Sequence, residues 1–421
     1  MGDVSESVGS SSSLRRNRSF QRLVVAKVSN ELSSAIGNVA LPLIVLGMTA
    51  SATLAGLVLF VSNAALIATQ ALGGALVDRH PPSLVLRLSS FAQAFGWALA
   101  LTAILLPDAK FLPLLLLGAA LAGGASGLDG PSEQALVKVI VPRDQLGWAA
   151  AVSQGREAGA GLIGGPVGGL LFSAGSVWAL GAQIALNVVA GIFTPRSSSR
   201  AIDLQPQSGY VVQLRDGFAF VWRQRGLRGV AIVAGLANLP IIVLPLTLIA
   251  YYQTRGEAPV AIGILATAFG AGVVAGALLA GPVSSRFRLG RLGSIALAAF
   301  ALGQAAVVLT YPSLPITAAI LLLSALPLPA FNAAISAYTV TVTPAPLMGR
   351  VTAASGVPGM LLMPVGALGG GLLFDHYGPV VPLVLSSMVA IATVVVMVSS
   401  SDLRLIPRLA DLGEVVHEAP D

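Results

Sequence analysis

Twelve predominantly apolar runs follow one another along the chain, roughly at 20–47, 51–77, 84–106, 111–140, 146–173, 176–195, 227–253, 259–283, 290–311, 313–342, 346–374 and 378–400, each about 20 residues or longer. A run of that length crosses the hydrocarbon of a bilayer as a helix, because lipid offers no partner to backbone N–H and C=O groups. Little sequence is left for a separate soluble domain. The chain is therefore expected to be an all-α membrane protein with twelve transmembrane helices. Its 10% of charged residues agrees, against about 25% in an ordinary soluble protein.

The same residues exclude much chemistry. There is no cysteine, so no disulfide, thiolate metal site or cysteine nucleophile is available. His80, His376 and His417 are scattered and show no metal-ligand spacing. Phosphate-binding Gly-Lys-Ser loops and nucleophile elbows are missing, so neither an enzyme nor a cofactor is expected, and the energy source would be a proton gradient.

Basic residues set the orientation. Arg15, Arg16, Arg18 and Arg22 precede the first span, Arg79 and Arg87 flank the second loop, and Lys138 and Arg143 flank the fourth. Arg196, Arg200, Arg215, Arg223, Arg225 and Arg228 lie in or beside the central loop, and Arg286, Arg288, Arg291, Arg350, Arg404 and Arg408 continue the alternation. The opposite loops hold Lys110 and Arg255. The excess of positive charge in cytoplasmic loops then puts both termini and the central loop in the cytoplasm of a cell membrane. This topology also accounts for the net charge of +6, so nucleic acid is not expected as a partner. The Ser-rich residues 1–19 read as a cytoplasmic tail rather than a cleavable signal.

An internal repeat divides the chain. Pro142 matches Pro344, Gly147 matches Gly349, and Gly168 to Phe172 match Gly370 to Phe374, always 202 residues apart. Gly74 and Leu76 match Gly276 and Leu278 at the same offset. The expected domains are a first six-helix bundle over 20–195, a connector over 196–226, a second bundle over 227–400 and a tail over 401–421. The connector stretch "VVQLRDGFAFVWRQR" is amphipathic, with Val212, Phe218, Val221 and Trp222 opposite its arginines, and is expected to lie on the membrane.

Two parallel six-span halves are the layout of the major facilitator transporters, and the local motifs resemble that superfamily. "GGALVDRHPPSLVLR" resembles its gating loop through Gly74, Leu76, Asp78 and Arg79, with Pro81 in place of the second glycine and no basic residues at 82 and 83. "GLIGGPVGG" resembles the antiporter motif through Gly161, Gly165, Pro166 and Gly169, with Leu170 replacing its last glycine. "DGPSEQALVKVIVP" and "RDGFAFVWRQRGLRG" resemble the branch of siderophore exporters and macrolide-efflux proteins. The resemblance implies two pseudo-symmetric halves, with Asp78 docking near the start of span 11 and Arg350 as a candidate partner.

Charges inside the spans carry the functional expectation. Counting ~1.5 Å per residue, Glu31 lies about 16 Å into span 1, Glu133 and Asp129 lie about 10 and 17 Å from the cytoplasmic end of span 4, and Arg156 and Glu157 lie about 15 Å into span 5. Charge at such depth costs at least ~2.5–3.5 kcal/mol and should face a protein interior or a wet cavity. Asp129 and Glu133, four residues apart, are expected on one helix face, where mutual repulsion favours proton uptake by one of them. Arg156 is the expected counter-ion holding one carboxylate ionised; the same residues also suit a structural ion pair. In the second half Asn238, Asn332 and Tyr338 are the candidate polar groups of a substrate cavity. Trp97, Trp148 and Trp178 could line a pocket, but interfacial anchoring or lipid contact is the leading expectation for isolated tryptophans. The leading expectation is proton-coupled efflux of hydrophobic or amphipathic small molecules by a monomer in the lipid bilayer. Uptake or lipid-type flipping, and ligand sensing without transport, compete with it.

Overall fold

The computed structural model describes residues 17–106, 111–196, 210–286, 289–344 and 347–400. In the first half, α1 (Arg18–Thr49), α2 (Ala52–Arg79) and α3 (Pro82–Leu105) are continuous spans. The fourth span is broken into α4 (Phe111–Ser126) and α5 (Asp129–Ile140), and α6 (Leu146–Ala174) and α7 (Ser176–Phe193) complete the half. A connector helix, α8 (Tyr210–Arg223), leads to α9 (Arg225–Thr254), α10 (Pro259–Arg286) and α11 (Leu289–Thr310). The tenth span is again broken, into α12 (Leu314–Ala325) and α13 (Leu328–Val342), before α14 (Met348–Tyr377) and α15 (Val380–Ser399). Ten of the spans are long and apolar enough to cross a membrane by length and composition. The 29-residue α6 and the 30-residue α14 complete the expected twelve.

The break in the fourth span departs from the single helix expected there. It survives because neighbours take up the freed carbonyls. The Thr69 hydroxyl of α2 donates to the Gly124 carbonyl at 2.5 Å, and the Leu128 N–H closes onto the Ala125 carbonyl at 3.0 Å. A new helix therefore starts at Asp129, and the acid stands in its first turn.

The halves meet most extensively at two crossings, α6 against α10 and α2 against α14, and α1 also touches α9, where Gln253 Nε2 donates to the Leu43 carbonyl at 2.9 Å. The end of the bundle opposite the start of α1 is called distal here. At the distal end the repeat becomes visible as geometry: a β-carbon on Gly169 of α6 would overlap the Pro259 carbonyl oxygen at the start of α10, and one on Gly371 of α14 would overlap the Ala52 carbonyl oxygen at the start of α2. Those two glycines are 202 residues apart, and each lets two backbones touch. A further contact fastens only the α2/α14 crossing. Asp375 accepts from the Ala52 N–H at 2.8 Å, the Thr53 N–H at 2.8 Å and the Ser51 hydroxyl at 2.7 Å. The carboxylate thus caps the unpaired amides of a helix from the other half, where the helix dipole favours an anion.

The connector helix packs against the second bundle. Val221 is buried in a cluster with Leu227 and Ala231 of α9 and Val351 and Ala354 of α14. Phe218 and Trp222, stacked with ring centroids 5.2 Å apart, remain exposed. The Val212 side chain lies outside the described residues.

Candidate functional site

A cavity of about 590 Å³ lies between the halves, within the range that holds a drug-sized molecule. Its wall is mostly apolar, with Trp97, Phe269 and Phe300 as large rings. Its polar side chains are neutral and include Asn38, Asn63 and Gln93 from the first half, Thr267 and Gln304 from the second, and three serines. Among the described residues no Asp, Glu, Lys or Arg lines it. Gln304 is oriented by the Ser386 hydroxyl, which donates to its Oε1 at 3.2 Å.

Beside this cavity the buried charges separate into two groups. Lys27 and Glu31 of α1, Glu133 of α5 and Arg156 of α6 form an ion cluster. Arg156 grips Glu31 with a fork, Nε to Oε2 at 2.8 Å and Nη2 to Oε1 at 2.8 Å. The same Nη2 reaches Glu133 Oε1 at 2.7 Å, while Lys27 Nζ reaches Glu133 Oε2 at 3.2 Å. Two acids and two bases balance, and a neutral cluster of this kind is what makes charge tolerable at depth.

Asp129 is the second group. It is only 8% exposed, and its partners are uncharged donors. Gln93 Nε2 donates to Oδ2 at 3.0 Å, Asn30 Nδ2 donates to the same oxygen at 3.3 Å, and Ser89 Oγ lies 2.5 Å from Oδ1. Around it, α3 presents Ser89, Ser90 and Gln93 and α2 presents Thr69, none of which titrates near neutral pH. The charged groups that act on it are Lys27 from α1 and Glu133 on α5 itself, both engaged in the ion cluster that Glu31 and Arg156 complete.

Ser89 can serve either state of the acid. Its oxygen is also 2.8 Å from the Ala125 carbonyl oxygen, which already holds the Leu128 N–H. With Asp129 ionised, the hydroxyl donates to the carboxylate. With Asp129 protonated, the acid donates to Ser89 Oγ and the hydroxyl turns to Ala125. Both states keep their hydrogen bonds without a heavy atom moving.

Asp129 and Glu133 stand four residues apart within the one helix α5, the spacing that puts them on a shared face, yet they take different partners. Asp129 accepts from Ser89 and Gln93 of α3 and Asn30 of α1, while Glu133 pairs with Lys27 of α1 and Arg156 of α6. Arg156 holds two carboxylates where one was expected, and Glu157 is exposed, outside the cluster. Of the glycine motif, Gly161 and Gly165 line the cavity, while Gly165, Pro166 and Gly169 face α10 at the crossing of the halves. Asn238 donates to the Ala234 carbonyl at 2.9 Å, Asn332 is exposed, and Tyr338 packs among buried residues of α9 and α13; none of the three lines the cavity. In the gating motif Arg79 is exposed, while the surroundings of Gly74 and the side chains of Asp78 and Arg350 lie outside what the structure describes.

The sequence profile described as Major Facilitator Superfamily matches residues 23–255. The chain belongs to the major facilitator superfamily. It is accordingly a multi-pass membrane transporter and not an enzyme. The enterobactin exporter EntS of Shigella boydii serotype 4 (strain Sb227) is 26% identical over 285 residues, covering 66% of this chain and 67% of that protein. Macrolide efflux protein A of Enterococcus faecalis is 27% identical over 222 residues, covering 49% of this chain and 66% of that protein. The match thus spans about two thirds of the length of each relative. The solved structure of a mutant of the nucleoside transporter NupG superposes with a TM-score of 0.72 at 14% identity, over 90% of this chain and 99% of that one.

For this member of the superfamily, sequence reasoning missed two sets of residues. Lys27 stands among the basic residues that open span 1, yet it lies one turn before Glu31, a spacing that marks a shared face. Ser89, Gln93 and Trp97 recur every four residues on α3, so one helix face runs from the Asp129 site to the cavity. Trp97 lines that cavity rather than meeting lipid, whereas Trp178 is 65% exposed and Trp148 packs on Phe20 with ring centroids 5.7 Å apart.

Proposed function

We propose that this transporter exports hydrophobic or amphipathic small molecules in exchange for protons, by alternating access, with Asp129 as the proton carrier. One observation carries the reading. Asp129 is the buried acid without a cation of its own, held by groups that satisfy it with or without its proton. The ion cluster of Lys27, Glu31, Glu133 and Arg156 then fixes α1, α5 and α6 and keeps its charges through the cycle. The cavity supports the substrate class, being apolar with neutral hydrogen-bonding groups, and the names of the exporter relatives support the direction.

The protein works as a monomer in the cell membrane with both termini cytoplasmic. In that orientation the crossing fastened by Asp375 faces outward, and substrate enters from the cytoplasm. Opening of the distal end exposes Asp129 to external protons, and protonation resets the carrier.

The test uses acid-loaded inside-out vesicles, with proton release followed on adding lipophilic cations, macrolides and catecholate siderophores. Parent protein is expected to release protons with at least one compound class, Glu31→Gln to retain the response, and Asp129→Asn to lose it with expression intact. A full response from Asp129→Asn, or silence of the parent with a compound it demonstrably exports, would sink the reading.

A further inference from the structure

Gln93 is the residue that belongs to both sites. It is 2% exposed, it lines the cavity, and its amide nitrogen reaches Asp129 Oδ2 at 3.0 Å and Ser89 Oγ at 3.1 Å. An amide nitrogen has two hydrogens, and both are committed to the Asp129 site. The carbonyl oxygen Oε1 is left to accept from a molecule in the cavity. Amide conjugation joins the two ends of the group. A donor on the carbonyl oxygen polarises the amide and strengthens its N–H groups as donors, the cooperativity seen along hydrogen-bond chains in a low-dielectric interior.

We propose that Gln93 links occupancy of the cavity to the proton on Asp129, and that the transported molecule must present an O–H or N–H donor to the Gln93 carbonyl. This rests on the proton-carrier reading of Asp129. The sign follows from the direction of the hydrogen bonds. Substrate donating to Oε1 makes the amide a better donor to Asp129, which favours the carboxylate, so binding expels the proton to solvent. By reciprocity, a protonated Asp129 draws less on the amide, leaves Oε1 a poorer acceptor and weakens substrate binding. Opposed binding of proton and substrate is what an exchanger requires. Gln93 is a positioning residue in this scheme, since it never holds the transferred proton.

The experiment measures proton release per bound molecule, in weakly buffered solution, with purified full-length protein and two probes: a macrolide with free hydroxyl groups and its O-methylated counterpart. Gln93→Met keeps the length and volume of the side chain without its donors or acceptor. The expected result is macrolide binding weakened about tenfold or less, proton release lost, and an affinity that no longer changes with pH. In the parent, the O-methylated macrolide should bind while releasing at most a third of the protons. Gln93→Met that releases as many protons per bound macrolide as the parent overturns the proposal and leaves Asp129 standing. So does equal release by the O-methylated probe in the parent, an arm that needs no mutant to fold. Undiminished release from Asp129→Asn overturns the carrier reading itself, and this proposal with it.

Discussion

At the scale of the residue, the two kinds of buried acid respond differently to change. Arg156 neutralises Glu31 through a two-point fork and shares Glu133 with Lys27. Removing one partner of a buried pair leaves a charge uncompensated, which typically costs about 3–5 kcal/mol. Arg156→Ala is therefore expected to lower thermal stability of the purified protein by an amount of that order, and Arg156→Lys by less, because an ammonium keeps the charge although it cannot hold both oxygens of Glu31. An unfolding scan in detergent checks both, and an Arg156→Ala protein as stable as the parent would mean the cluster does not hold the helices. Asp129→Asn removes a carboxylate whose partners are neutral, so its stability is expected to stay close to the parent while the pH dependence of transport flattens. Transport measured across a pH series separates that outcome from simple unfolding.

At the scale of the element, helix ends and helix breaks do the positioning. The α4/α5 break starts a new helix at Asp129, and reading the fourth run as one continuous span could not foresee it. The residues that make it, Thr69 on α2 and Ser89 on α3, lie far from Gly127 in sequence. The twelve spans themselves were legible, since about 20 apolar residues have few alternatives in lipid. So were Asp129, Glu133, Arg156 and Glu31 as a set of charges buried at one depth, because charge inside a span is rare. Their pairing was not, because it depends on how α1, α3, α5 and α6 meet. Gln93 and Ser89 carry no charge, and neutral polar residues in a span announce nothing until a neighbour is known. The distal contact was equally hidden: Asp375 and Ala52 are 323 residues apart. Hydrogen bonds to a charged group are worth about 1.5–3 kcal/mol each. Asp375→Ala is expected to shift the distal end toward open by roughly 2 kcal/mol, about thirtyfold in population. Spin labels on cysteines introduced at the exposed Met48 and Tyr377 report it, and an unchanged distance distribution would dismiss the contact as incidental.

At the scale of the whole molecule, the proposed exchange takes the cavity between the halves as its working volume, whose shape can be altered without touching charge. Gly161 lines it, and a β-carbon there meets no atom within 4 Å. Gly161→Phe is expected to leave folding intact and reduce transport at least tenfold by occupying the space. Normal stability with normal flux would show that substrate takes another route. The two crossings of the halves are alike in backbone and unlike in fastening. Where the α2/α14 crossing has Asp375, the matching position on α6 is Ser173, whose hydroxyl turns back to its own helix at Leu170. A door held along one edge swings about that edge. The gap would then widen first along α6 and α10, and cargo would leave sideways, past the α10 flank, before any passage along the central axis is clear.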